Sequence, residues 1–243
     1  MTTYGLIGYP LGHSFSRKFF TEKFEKEGTD AQYLNFEIPS IEEFPNIIKN
    51  SSTLRGLNVT IPYKQQVMQH LDEISKEAKA IGAVNVVKVS KEGLIGYNSD
   101  VIGFVNSIRP LLKPHHKKAL ILGTGGASKA IHYGLEEKLG METLFVSRTA
   151  RQGMITDEEV TTEVLKEYEV IVNCSPAGML PHVDECPALP YEDMNERHLL
   201  YDLVYNPLET LFMKKGATMG ACVKNGLEML HLQALESWRI WND

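Results

Sequence analysis

Apolar positions recur in short runs along the whole chain. TYGLIGY, QYLNFEI, LRGLNVTI, AVNVVKV, ALILGTG, ETLFVS, EVIVNC, LLYDLV and ATMGACV each read as a strand. Between many of them the spacing turns helical, as in FSRKFFTEKFEKEG, VIGFVNSIRPLL, SKAIHYGLEEKLG and PLETLFMKKG. This order predicts an α/β protein with mostly parallel sheets, right-handed crossovers and helices on both faces. The segment NGLEMLHLQALESWRIW predicts a strong amphipathic helix, with Leu227, Leu230, Ala234, Trp238 and Trp241 on its apolar side. A domain boundary is expected near residues 99–118, where a helical pattern gives way to RPLLKPHHKK and then a fresh strand.

One stretch sets a local problem. In LNVTIPYKQQ, Leu57, Val59 and Ile61 alternate with Asn58 and Thr60 as in a half-buried strand. Pro62 suits the first position of a helix, so YKQQVMQHLDEI predicts a helix opening at Lys64. The start of a helix carries partial positive charge and disfavours a cation by ~0.3–1 kcal/mol. A lysine placed against its local electrostatics points to function.

Composition narrows the class. The 243 residues are 43% hydrophobic and 23% charged, which describes an ordinary globular protein able to bury a sizeable core in one large or two modest domains. A net charge of −6 without any lysine or arginine cluster argues against nucleic acid as a partner. Cys174, Cys186 and Cys222 are odd in number and lack CxxC spacing, so a reducing cytoplasm is expected and a disulfide framework is not. The first residues, MTTYGLIGYP, lack the features of a signal peptide, and no apolar run approaches membrane-spanning length. The eight histidines show no HExxH or paired ligand spacing, so no metal site is expected.

The second half carries the sharpest chemical signal. In KKALILGTGGASKAIHYGLEEKLGMETLFVSRT a strand runs into Gly123, Gly125 and Gly126, a helix follows at once, and a second strand comes after it. Glycines there allow a tight turn and let backbone N–H groups approach a pyrophosphate at the helix start. Ser128 stands at the third glycine position of the dinucleotide fingerprint, and a plain strand-to-helix turn is the competing reading. The second strand ends in Ser147-Arg148-Thr149, where an NAD site would usually offer an acid. A guanidinium and a hydroxyl suit a 2′-phosphate and so favour NADP, the alternative for Arg148 being a solvated surface residue.

In the first half, Ser14, Ser16, Asn58, Thr60, Lys64, Asn85 and Asp100 gather where strands meet turns or helices. Taken singly each has a structural reading; Ser14 or Ser16 and Asp100 are all suited to helix capping. Together they are a set of hydroxyls, amides and a lysine–aspartate pair able to hold a polyol and move a proton.

These motifs jointly resemble the shikimate dehydrogenase family, over residues 5 to 241. Ser14-Phe15-Ser16 is similar to its SxS pair, Asn58 to Lys64 to its NVTxPxK, and GAVN ends at Asn85. GYNSD resembles its G-[YF]-N-T-D with Ser99 in the threonine position, and SRT its NRT with Ser147 for asparagine. GTGGAS, NCSPAGM, YDLVYNP and NGLEMLHLQA are similar to later motifs, with Ser175 where threonine is usual.

The resemblance implies a substrate-binding α/β domain over 1–100, completed by a C-terminal helix at 226–243, and a Rossmann-type NADP-binding domain with a parallel sheet over 101–225. It implies catalysis in the cleft between them, with Lys64 as acid/base and Asp100 as its partner. By matching positions, Ser14, Ser16, Thr60, Asn85, Tyr205 and Gln233 would hold shikimate or 3-dehydroshikimate. Gly125, Gly126, Ala127, Arg148, Thr149, Leu203 and Gly226 would border NADP. Arg151 offers either a second phosphate contact or an ordinary surface arginine. A monomer and a homodimer both stay open. So do two other readings: a quinate/shikimate dehydrogenase with relaxed cofactor choice, and a catalytically silent ligand sensor. Retention of both Lys64 and Asp100 argues against the sensor.

Overall fold

The structure is a computed structural model that describes residues 1–12, 15–149 and 151–243. The chain divides into two compact units, residues 1–99 with 234–243, and residues 100–233.

The first unit is built on a six-stranded sheet in the order β2-β1-β3-β5-β6-β4. Its strands are β1 (Thr2–Gly8), β2 (Ala31–Glu37), β3 (Leu54–Val59), β4 (Glu73–Ile74), β5 (Val86–Ser90) and β6 (Gly93–Tyr97). Helices α1 (Phe15–Glu27), α2 (Phe44–Asn50) and α3 (Lys76–Ile81) connect them. β1 pairs in parallel with β2 and β3, whereas β5 is antiparallel to both β3 and β6. The period of two in β1 sorts its side chains onto opposite faces. Tyr4 and Leu6 join Phe20, Phe24, Tyr33 and Trp241 in one buried cluster, while Ile7 joins Phe44, Leu57, Val59 and Val67 in another. Trp241 stacks on Tyr4 at 4.9 Å and donates its indole N–H to the carbonyl of Val87 at 3.1 Å. Only glycine fits beneath that ring, since a Cβ on Gly56 would stand 2.3 Å from the indole.

The second unit has an all-parallel six-stranded sheet in the order β12-β11-β10-β7-β8-β9. The strands are β7 (Lys118–Leu122), β8 (Glu142–Val146), β9 (Met154–Ile155), β10 (Val170–Asn173), β11 (Leu199–Asp202) and β12 (Cys222–Lys224). Helices α4 (Asp100–Ile108), α5 (Gly126–Tyr133), α6 (Thr162–Glu167) and α7 (Leu211–Thr218) belong here, together with the first turns of the last helix, α8 (Leu227–Asn242). β10 and β11 are buried along their whole length, as the apolar runs VIVN and LLYD require in a parallel sheet covered on both faces. Numbered within the unit, the strand order is the doubly wound one, 3-2-1-4-5-6, with its switch point between β7 and β10.

One expected element is absent. No α-helix opens at Lys64; residues 61–65 form turns, and a short 3-10 helix covers Gln66–His70. In an α-helix the carbonyl of Lys64 would accept from Met68. Instead it accepts from the N–H of Val84 at 2.7 Å, and Met68 donates to Gln65. A bond to a distant segment has overridden the local pattern, and the helix-start electrostatic argument at Lys64 falls with the helix. The ATMGACV run is also divided, with Ala217 and Thr218 ending α7 and only Cys222 and Val223 entering β12.

Candidate functional site

In the first unit the motif residues collect where β1, β3 and β5 begin or end. Thr60 follows β3; its N–H donates to the carbonyl of Ile7 and its own carbonyl accepts from Tyr63, both at 2.9 Å. Tyr63 is buried and donates its hydroxyl to the carbonyl of Ile38 at 2.6 Å. The half-buried Lys64 therefore sits between an anchored tyrosine and its own tethered carbonyl, on a turn that has little freedom to drift. Asn85 is buried just before β5, and its Oδ1 accepts from the backbone N–H of Ser99 at 2.7 Å. Its Nδ2 lies 3.1 Å from the hydroxyl of Ser99. Ser16, in the first turn of α1, shares a hydrogen bond with Tyr33. Ser14 falls outside the described residues.

A chain of polar contacts underlies these positions. Tyr33 donates its hydroxyl to Asn58 Oδ1 at 2.8 Å, and Asn58 Nδ2 donates to Ser237 Oγ at 2.8 Å. Ser237 and Ser99 place their hydroxyl oxygens 3.3 Å apart, and Ser99 is bonded to Asn85. Full burial pushes the Tyr33 phenol above its ordinary range, so it stays a neutral hydrogen-bonding group.

In the second unit the glycine loop lies at the switch point, where doubly wound sheets bind their ligands. Gly123 adopts φ +103 and lies against the loop after β10; a Cβ there would be 3.4 Å from the backbone of Cys174. At Gly125 an added Cβ would meet nothing within 4 Å, so the backbone is open on that side just before α5 begins. Ser128 turns inward and donates to the carbonyl of Gly125 at 2.7 Å, closing the loop from below. Gly126 and Ala127 form the first turn of α5, where a helix leaves N–H groups without intrahelical partners. After β8, Arg148 and Thr149 are exposed, and the Thr149 N–H donates to Ser147 Oγ at 3.4 Å. Arg151 donates to Thr124 Oγ1 at 3.5 Å, which brings its guanidinium onto the glycine loop.

The other matched positions of this unit lie at β11 and on the packed pair α4 and α8. Leu203 follows β11, and its carbonyl would lie 2.2 Å from a Cβ on Gly226, so the two backbones touch at a place where only glycine fits. Tyr205 is half-buried, and burial raises its phenol pKa. Asp100 opens α4 and is buried. A Cβ on Gly103 would stand 2.6 Å from the carbonyl of Met229 and 3.1 Å from Gln233 Cβ, so the helix of Asp100 runs closely against that of Gln233. Among the described residues no group of three His, Cys, Asp or Glu side chains could hold a metal ion, and no helix is long and apolar enough to cross a membrane.

Residues 6–87 match the family model of the shikimate dehydrogenase substrate binding domain. Across 257 residues the chain is 36% identical to the shikimate dehydrogenase (NADP(+)) of Methanococcus maripaludis strain C6, covering 98% of this chain and 90% of that protein. The chain belongs to the shikimate dehydrogenase family. Two solved members superpose closely. Shikimate dehydrogenase from Aquifex aeolicus gives a TM-score of 0.88 at 34% identity, covering 99% of this chain and 92% of that one. Shikimate 5-dehydrogenase from Thermus thermophilus, solved in complex with NADP(H) and shikimate, gives 0.87 at 32% identity, covering 99% and 93%.

Some structured polar groups of this chain have roles that the sequence motifs do not disclose, Asp202 and Asn173 inside YDLVYNP and NCSPAGM among them. Asp202 closes β11 fully buried; Thr210 Oγ1 donates to its Oδ2 at 2.6 Å, and Asn173 Nδ2 and the Val204 N–H donate to its Oδ1 at 2.9 and 3.0 Å. The signal was present in EVIVNC and LLYDLV, where a polar residue ends an otherwise apolar run. Ser237 was harder to see. It lies three residues after Ala234 and four before Trp241, on the helix side that packs inward, where a lone serine reads as a small filler.

Proposed function

We propose that this protein catalyses the reversible, NADP-dependent reduction of 3-dehydroshikimate to shikimate. The observation that carries the reading is that a chain matched over 98% of its length to relatives named shikimate dehydrogenase (NADP(+)) has lysine at 64 and aspartate at 100. NADP, when bound, gives or accepts the hydride at the ring carbon bearing the oxygen. Lys64 donates a proton to that oxygen during reduction and takes it back during oxidation. Asp100 hydrogen-bonds the substrate and orients Lys64. One positioned protonating group is enough to stabilise the developing alkoxide, so the step calls for no metal.

Ser14, Ser16, Thr60, Asn85, Tyr205 and Gln233 hold the polar groups of the substrate. Gly125, Gly126, Ala127, Leu203 and Gly226 border the cofactor, with Arg148 and Thr149 on its 2′-phosphate. The open side of Gly125 supports a pyrophosphate there, and the exposed guanidinium of Arg148, with no acid ending β8, supports NADP over NAD. In this reading residues 1–100 with 226–243 form the substrate domain and 101–225 the NADP domain, and the protein works in the cytoplasm.

Rates of nicotinamide reduction with shikimate and with quinate, each with NADP and NAD, test the reading. Shikimate with NADP should be the fastest pair. Comparable rates with quinate and NAD would turn the assignment to a quinate/shikimate dehydrogenase. Cofactor binding with no turnover in any pair would turn it to a silent sensor.

A further inference from the structure

We propose that Ser237 is a positioning residue for the substrate: from the last helix it joins the segment carrying Asn58 to the segment carrying Ser99 and Asn85. The proposal rests on the reading of the protein as a shikimate dehydrogenase. Ser237 is fully buried, and the partners of its hydroxyl include Asn58 Nδ2 at 2.8 Å and Ser99 Oγ at 3.3 Å. Asn58 lies on β3, two residues before Thr60, and Ser99 directly precedes Asp100. Beyond Asn58 the contacts run through the Tyr33 hydroxyl to Ser16; beyond Ser99 they run to Asn85. Two matched substrate positions, Ser16 and Asn85, are thus the ends of one chain of hydrogen bonds.

Satisfied buried networks of this kind are rigid, and removing a single member strands its partners. Without the Ser237 hydroxyl, Asn58 Nδ2 keeps only its longer contact, 3.4 Å to the carbonyl of Asn85. The Ser99 hydroxyl loses its 3.3 Å contact and keeps those to Asn85. The strand end and the turn stay tied through the backbone bond from the Val59 N–H to the Asn85 carbonyl at 2.9 Å but lose a side-chain brace, and a substrate held by groups on both would be gripped less well. Cofactor contacts assigned to the second unit are untouched by this change.

The test compares Ser237→Ala and Tyr33→Phe with wild type, each removing one hydroxyl at a different point of the chain. Each should raise the Michaelis constant for shikimate by roughly three- to tenfold and leave that for NADP unchanged. A purely structural role for Ser237 would lower the melting temperature and move neither constant while the protein stays folded, and that result would overturn the proposal. Equal changes in both constants would overturn it too. If Ser237→Ala does not fold, Tyr33→Phe decides by the same split. Wild-type protein inert towards shikimate would remove the functional reading and this proposal together, whereas active wild type with unmoved variants would remove the proposal alone.

Discussion

The backbone N–H of Val84 donates to the carbonyl of Lys64 at 2.7 Å. The bond uses the main chain of Lys64, so the residue is held in place whatever its side chain, and Lys64→Ala should fold. Its turnover should nonetheless fall by roughly 10²- to 10⁴-fold, the contribution of a positioned general acid/base. Shikimate affinity should change far less, because the proton is needed only as the carbon–oxygen bond changes order. Lys64→Arg should rescue poorly, since a guanidinium does not release its proton near neutral pH. Turnover within a few-fold of wild type in Lys64→Ala would end the proposed mechanism.

Arg148 is exposed beyond β8, where charge-assisted bonds to a 2′-phosphate would form on the surface of the unit. Arg148→Ala should weaken NADP by roughly 10- to 150-fold and hardly affect NAD. Calorimetric dissociation constants for both cofactors check this. An equal loss for both would show that Arg148 supports the loop and does not read the phosphate.

Gly226 has no room for a side chain, because its Cβ would meet the Leu203 carbonyl at 2.2 Å and that carbonyl belongs to backbone. Gly226→Ala must therefore displace the segment after β11 or the start of α8, at an overpacking cost of about 1–3 kcal/mol. Urea denaturation should record that loss, and the Michaelis constant for NADP should rise with it. A variant with wild-type stability and wild-type NADP kinetics would show that the two segments separate freely.

The parts of this molecule that are legible in its sequence are those whose partners lie close by or whose burial is uniform. ALIL, VIVN and LLYD announce a parallel sheet because both faces are covered and no polar position interrupts the run before its last residue. The glycine loop is legible because strand, turn and helix are contiguous there. Lys64 shows the limit: the pattern after Pro62 is helical, yet the carbonyl that would build the helix is claimed by Val84, and nothing local encodes that bond. β6 is faint because glycines at 93 and 96 dilute its apolar run. Ser237 is silent, since its meaning comes from Asn58 and Ser99, both far away along the chain.

Asp202 gives a pH dependence whose sign can be worked out. Burial raises its carboxyl from the ordinary 3.8 to about 6, partly offset by the hydrogen bonds from Thr210, Val204 and Asn173. The folded state therefore binds a proton more readily than the unfolded chain between those two values. Where the native state holds more protons, stability falls as pH rises. The Asp202 contribution should thus decline from about pH 4 to about pH 6 and then stay level, a change of about 3 kcal/mol for a shift of about two pH units. The titratable neighbours that feel its charge are the Cys174 thiol and the Tyr191 phenol, both pushed upward by burial and so neutral across this range. Asp202→Asn keeps the shape of the side chain and cannot ionise. Any fixed loss from its altered hydrogen bonds is the same at every pH, so the informative quantity is the difference between variant and wild type. Urea denaturation of both proteins at pH 4 and pH 7 should show the variant gaining on wild type by up to about 3 kcal/mol as pH rises. Parallel curves would mean that the donors around the carboxylate compensate its burial fully. A variant that loses ground with rising pH would mean that they outweigh it, and that the ionised carboxylate stabilises the ends of β10 and β11.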